Sequence, residues 1–398
     1  MAYDQSYITI IASSHGPIVK QFSYVDGAVH VEPSAQVPRG KAKTVALKGP
    51  EELLRIITSL KSNEALSLGR LQEVGRTYPL TSEGLRREGE ISRTKSFLFH
   101  HEGPAWMLLD VDVKGLPPHI LEKINNRDLY DVIVGVVPEL ACAPTLVRPS
   151  SSAGITLPDG SSRPASGLHI YVQVNNGLRV QQLIELIHNR LWAAGLGFYA
   201  ISKAGTLLDR SLVDTAVGGA ERLVFEAAPI VLLPLKRHPP QPIVHHGNSG
   251  LGEVVSADME AVGELKAKAK ESVTPEAKAK RKRHEEEHVI RVAEKLLVPK
   301  SEARRIVKQR LDMQILNDDD VLETARGHFE TVSQFLDRTN RKTALPCPFE
   351  GSDYGLSNAY FYPADERSPI PHIISFAHGR RTPFYFARFR KLRGLQWL

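Results

Sequence analysis

Two cysteines among 398 residues, Cys142 and Cys347, are too few for a disulfide framework and too far apart for a CxxC zinc site. Such sparing use fits a reducing compartment. No apolar run approaches the length of a membrane span, and Met-Ala-Tyr-Asp-Gln at the start lacks the basic and apolar regions of a signal peptide. A cytoplasmic protein is therefore expected. There is no GxxxxGK[ST] loop, which excludes a fused helicase of the P-loop type. What remains is an ordinary globular composition, 42% hydrophobic and 24% charged, in a chain long enough for two or three domains.

The net charge of +6 is concentrated. Residues 264–310 hold 15 Lys and Arg against 8 Glu, a surplus that accounts for the whole basic excess. A charge run of this kind is either a solvated helix face or a track for a phosphate backbone. Before it, the proline-rich and then glycine-rich stretch 236–263 has the composition of a linker.

Chemistry points first to 106–115, Trp-Met-Leu-Leu-Asp-Val-Asp-Val-Lys-Gly. Its apolar run predicts a buried strand, on which Asp110 and Asp112, two apart, project from one face. Two adjacent carboxylates repel unless a cation lies between them, and oxygen-only ligation favours Mg²⁺ or Mn²⁺. Alone, the pair reads more simply as a solvated strand end. Further on, Ser166-Gly167-Leu168-His169 opens an alternating strand after a Ser-Gly turn. There, His169 and Ser166 could donate to triphosphate oxygens. The hydroxyl-rich turn Ser150-Ser151-Ser152, just after Arg148, offers similar donors. Asp214 lies between apolar neighbours in another predicted strand, making it a third candidate carboxylate. Arg222 follows a Gly-Gly turn, where its guanidinium could meet phosphate or an acid.

Elsewhere the periodicity predicts a helix at 120–131 and an apolar-striped helix at 180–194, carrying Leu183, Ile184, Leu186, Ile187, Leu191 and Trp192. Near the C-terminus, aromatics interleave with Arg388, Arg390, Lys391 and Arg393. They could stack on single-stranded bases or form a small β-rich core.

The order of these signals, Leu109-Asp110-Val111-Asp112, then Ser166-Gly-Leu-His169, then Leu212-Val-Asp214, resembles the archaeo-eukaryotic primase superfamily. Within it, the chain looks like the primase-polymerases of plasmids, phages and integrated mobile elements. The resemblance spans 91–234, with Glu221-Arg222-Leu-Val-Phe225-Glu as context. A terminal stretch, Tyr354-Gly and Ser375-Phe-Ala-His-Gly379, is similar to the segment that follows such domains.

The resemblance implies an α+β fold: a mixed α/β module plus an RNA-recognition-motif-like antiparallel sheet in a catalytic domain at 1–235. After the linker at 236–263 come a basic helical segment, 264–316, and a small β-rich accessory domain, 317–398. It implies that Asp110, Asp112 and Asp214 are catalytic ligands of Mg²⁺ or Mn²⁺, with His169, Ser166, Arg222, Arg148, Ser151 and Ser152 on the nucleotide. The expected activity is template-directed primer synthesis on single-stranded DNA from nucleoside triphosphates, with a separate replicative helicase as partner. The alternatives are a catalytically inactive DNA-binding adaptor and an end-joining repair nucleotidyltransferase. This chain departs from the family by placing two residues, rather than one, between serine and histidine, so Ser151 or Ser152 is an alternative to Ser166. Cys347 has no partner cysteine nearby, and no structural zinc is expected.

Overall fold

A computed structural model describes residues 5–389 apart from 33–35, 84–85, 126, 163–166, 203, 311–313, 326, 353, 367 and 378–380. Ser166 and the stretch 378–380 therefore lie outside the described residues, as do Arg390, Lys391 and Arg393. The chain is α+β and divides into two units, Met1–Tyr199 with Asp209–Lys270, and Ala200–Leu208 with Glu271–Leu398.

The first unit opens with β1 (Gln5–Ser13), β2 (Gln21–Val25), β3 (Ala28–Glu32), β4 (Arg39–Lys48), α1 (Gly49–Ser59), β5 (Glu64–Ser67) and β6 (Thr77–Thr81). In β4, exposed Lys41 and Lys43 alternate with buried Ala42 and Thr44, the period of a strand with one face on a core. Strands β5, β1, β4 and β6 pair in that order, all antiparallel.

Next come β7 (Ala105–Asp112), α2 (Pro118–Ile124), α3 (Leu129–Val136), β8 (Thr145–Pro149), β9 (Ile155–Thr156), β10 (Gly167–Val174) and α4 (Val180–Ala193). The single helix expected at 120–131 is two. Asn125 turns left-handed at φ +39°, and Asp128 starts a new helix by accepting the Tyr130 and Asp131 N–H groups. The striped helix at 180–194 is α4, with Leu183, Ile184, Ile187, Leu191 and Trp192 buried. After α4, β11 (Gly197–Ile201) and β12 (Leu207–Ser211) form a hairpin, and β13 (Ile230–Val231), β14 (Lys236–Arg237) and β15 (Ile243–His245) follow.

A second antiparallel sheet, in the order β15-β8-β10-β7, carries the candidate site. Val213 bridges Val111 antiparallel on the far side of β7. The path β7, α2–α3, β8, β10, α4 and the Val213 bridge is a βαββαβ unit, with β10 and β7 in its middle. Residues 236–263, linker-like in composition, are built into this unit: β14 pairs with β9, and β15 extends the sheet beyond β8. The reason is backbone pairing, since β8 would otherwise present an open edge. One core joins sheet and helices, including Leu109, Val111, Ile170, Val172, Ile133, Leu183 and Ile187.

Helix α5 (Met259–Leu296) carries the basic run. The second unit continues with α6 (Lys300–Lys308), β16 (Ile315–Leu316), β17 (Val321–Glu323), β18 (Phe329–Thr331), α7 (Val332–Arg338), β19 (Thr343–Leu345), β20 (Ala359–Tyr362), β21 (His372–Ser375) and β22 (Thr382–Phe386). Strands β16, β22, β21, β20 and β19 make a five-stranded sheet. Its core is aromatic, with Phe335, Phe361, Phe384 and Phe386 all buried. Of the two readings of the terminal aromatics, packing is the one these four side chains adopt. Arg388 is held by Asp318 at 2.8 Å. Among the described residues, no helix is long and apolar enough to cross a membrane.

Candidate active site

β7 is buried on both faces from Ala105 to Leu109, and its 106/108/110/112 face opens only at the aspartates. Across the sheet, His169 of β10 stands directly opposite Asp110 of β7 on one side and Arg148 of β8 on the other. Asp214 flanks Asp110 on the outer side, its N–H donating to the Asp110 carbonyl at 3.0 Å. Residues directly opposite in antiparallel strands share a face and stand about 5 Å apart. Arg148, His169, Asp110 and Asp214 thus form one row across four segments. Asp112 lies two residues along, opposite Gly167. A Cβ at Gly167 would come within 2.5 Å of the Val111 carbonyl oxygen, so this close approach requires glycine.

Beneath the row lies a carboxylate that the motifs alone do not single out. Glu226 is 2% exposed and accepts hydrogen bonds from His169 Nδ1 and the Tyr171 hydroxyl. Arg148 Nη1 reaches its Oε2 at 2.5 Å. Burial disfavours the Glu226 carboxylate, but His169 and Arg148 outweigh it and hold its pKa below the ordinary value. Burial likewise pulls the His169 imidazole towards neutrality, yet Glu226, and then Asp110, raise its pKa. With Nδ1 committed to Glu226, His169 turns Nε2 outward, 3.5 Å from Asp110 Oδ1. The Asp110 carboxyl is raised by burial, against the pull of His169, and raised further by Asp214, Asp112 and Glu226. In the sequence Glu226 is cued by its place in the apolar run 223–228 and as the last residue of the stretch 221–226 that accompanies the motifs, with no role assigned to it there.

The remaining predicted residues distribute unevenly. Asp214 Oδ1 accepts from Arg210 at 2.9 Å and from the Ala216 N–H at 3.0 Å, so one oxygen is engaged and the other has no hydrogen bond among the described residues. Asp112 Oδ1 accepts the Lys114 N–H, 2.9 Å away. Arg222 is exposed and donates to the Ala216 carbonyl at 2.6 Å, bracing the turn after Asp214. Ser150 and Ser152 share a hydrogen bond of 3.1 Å, with half-buried Ser151 between them. Their turn leads through Gly154 (φ +76°), where a Cβ would strike the His238 carbonyl, to β9 and its partner β14.

That pairing brings in Arg237, which its proline-rich surroundings place in a linker. Burial and the nearby positive charge of Arg148 lower the pKa of its guanidinium. The Nε atoms of both arginines are buried without a hydrogen-bond partner among the described residues. Carboxylates thus gather at one end of the row and under-satisfied guanidiniums at the other, with His169 between. Such polarity suits a substrate that is itself anionic and carries a cation.

The three aspartates are backbone neighbours but not a closed ligand cluster. Among the described residues, the group whose ligand atoms all lie within 4.8 Å of one another is His284, His288 and Glu350, in the second unit. No family model, curated protein or solved structure matches this chain.

Proposed function

We propose that the first unit is a primase-polymerase catalytic domain related to the archaeo-eukaryotic primase superfamily, and that it joins nucleotides on a single-stranded DNA template. The observation that carries this reading is the row Arg148–His169–Asp110–Asp214. Residues up to 104 positions apart in the sequence are neighbours in that row. The βαββαβ sheet supports the corresponding expectation of an RNA-recognition-motif-like module.

The donor set fits a hard divalent cation. Asp110, Asp112 and Asp214 would hold Mg²⁺ or Mn²⁺, since each offers oxygen and their mutual repulsion favours a bound positive charge. When bound, such ions supply electrostatic stabilisation to the attacking and leaving oxygens of a phosphoryl transfer. The chain's own groups position the rest. Arg148, His169 Nε2 and the nearby Arg237 would hold the triphosphate, and Glu226 fixes both Arg148 and His169. In the overall reaction a 3′-hydroxyl loses its proton to solvent and its oxygen bonds to the α-phosphorus, while the bond from that phosphorus to the α–β bridging oxygen breaks and pyrophosphate leaves with the electron pair. Helicase activity would come from a separate partner.

The test is synthesis on single-stranded DNA, with and without a primer, using ribo- or deoxyribonucleotides and Mg²⁺ or Mn²⁺. Unprimed products that vanish in Asp110→Ala and Asp112→Ala are expected. Synthesis unchanged in both variants would refute the assignment. Template binding without synthesis would mean an adaptor, and extension confined to preformed 3′ ends an end-joining enzyme.

A further inference from the structure

The second unit holds a group of side chains that the proposed reaction does not use. His284 and His288 are four residues apart on α5, so their imidazoles share a helix face. The turn following β19 brings Glu350 against them, with its Oε2 3.1 Å from His284 Nε2. All three are buried, at 5%, 5% and 6% exposure. The two imidazole centroids lie 4.4 Å apart, and Phe349 stacks on His288 at 4.2 Å, fixing that ring. His284 Nδ1 is buried and takes no hydrogen bond among the described residues.

A buried His284–Glu350 ion pair would account for the 3.1 Å contact. It would not account for a second imidazole within 4.8 Å of both groups, nor for the orphaned Nδ1. A bound cation accounts for the convergence, because it gives both imidazoles and the carboxylate a common partner.

We propose that His284, His288 and Glu350 bind one divalent transition-metal ion of the zinc class. Two imidazoles and one carboxylate are borderline-soft and hard donors in the proportion that Zn²⁺ accepts, leaving one tetrahedral position for water or another ligand. Mg²⁺ and Ca²⁺, which seek oxygen, are not served by this set. The run His284-Glu285-Glu286-Glu287-His288 has the one-turn spacing of metal-binding helices, with the third ligand supplied from elsewhere in the chain. Scarcity of cysteine rules out an all-thiolate site and leaves this one untouched. His284, Glu285 and Glu350 line a cavity together with Thr206, Cys347 and Ser375. Arg310, also in its wall, has its charge matched by Asp320 at 3.4 Å. The ion would clamp α5 to the turn between β19 and β20, within the second unit.

The test uses the full chain, stripped with a chelator, exposed to Zn²⁺ and freed of excess before elemental analysis. One Zn²⁺ per chain is expected, with affinity lowered more than about tenfold in His284→Ala, His288→Ala and Glu350→Gln and unchanged in Asp110→Ala/Asp112→Ala. Zn²⁺ retention that survives all three substitutions, or that is lost with the aspartates instead, overturns the proposal. Should those variants fail to fold by circular dichroism, Co²⁺ titration of the wild-type chain decides. Intense visible bands saturating at one equivalent support a four-coordinate site, and the weak spectrum of six-coordinate Co²⁺ refutes it.

Discussion

His169 stands directly opposite Asp110 in the β10–β7 register, with Nε2 3.5 Å from Oδ1 and Nδ1 hydrogen-bonded to Glu226. One imidazole therefore couples a buried carboxylate to a half-exposed one. The chemistry expected of the site depends on which of its nitrogens remains free.

Replacing Glu226 with Gln removes the charge that holds both His169 and Arg148. Breaking a buried ionic network from one side costs about 3 kcal/mol, which urea unfolding will measure. The pH dependence follows from the two shifts. Glu226 is lowered from 4.5, so its contribution is present above 4.5 and is lost as pH falls through the lower folded value. His169 is raised from 6.5, so its contribution is complete below 6.5 and is lost as pH rises through the higher folded value. Both contributions are therefore complete between pH 4.5 and 6.5. In Glu226→Gln the His169 pKa, followed by NMR, should fall.

Asp110→Asn should separate stability from activity. The raised carboxyl means that folding disfavours the ionised form, so the amide should match or exceed wild-type stability, by up to about 1 kcal/mol after solvent screening at a side chain 38% exposed. Synthesis should fall about 100-fold or more. A variant that is both less stable and fully active would contradict this picture.

Arg237→Ala tests the basic end of the row. Arg237 makes no ion pair among the described residues, so thermal stability should hold. Loss of a charge-assisted contact to a triphosphate, at about 1.5–3 kcal/mol, should raise the nucleotide KM roughly 10- to 100-fold. An unchanged KM would place the triphosphate elsewhere.

Asp209 adds to the acid limb of the first unit. Burial works against its carboxylate, but hydrogen bonds from His188, Lys266 and Trp192 bring its pKa down to about 2. The stability it adds is present above 3.8 and disappears between 3.8 and about 2. Because the side chain is 40% exposed, Asp209→Asn should cost no more than about 1 kcal/mol at neutral pH. Its unfolding curves should approach wild type as pH falls from 3.8 and converge below about pH 2.

Much of this protein was legible along the chain because its cues are local. The apolar run into Asp110 and Asp112 marks a strand with both carboxylates on one face, and the stripe from Leu183 to Trp192 marks α4. Spacing alone suffices for those, since strand and helix periods place side chains without reference to the rest of the fold. Tertiary structure decided everything that depends on register and on contacts between distant segments. It set His169 against Asp110 and Arg148, put Glu226 beneath them, drew Arg237 out of a linker-like stretch through β14, and closed Glu350 onto His284 and His288. A one-residue slip between β7 and β10 would send one partner to the opposite face, and no one-dimensional pattern records which slip was avoided.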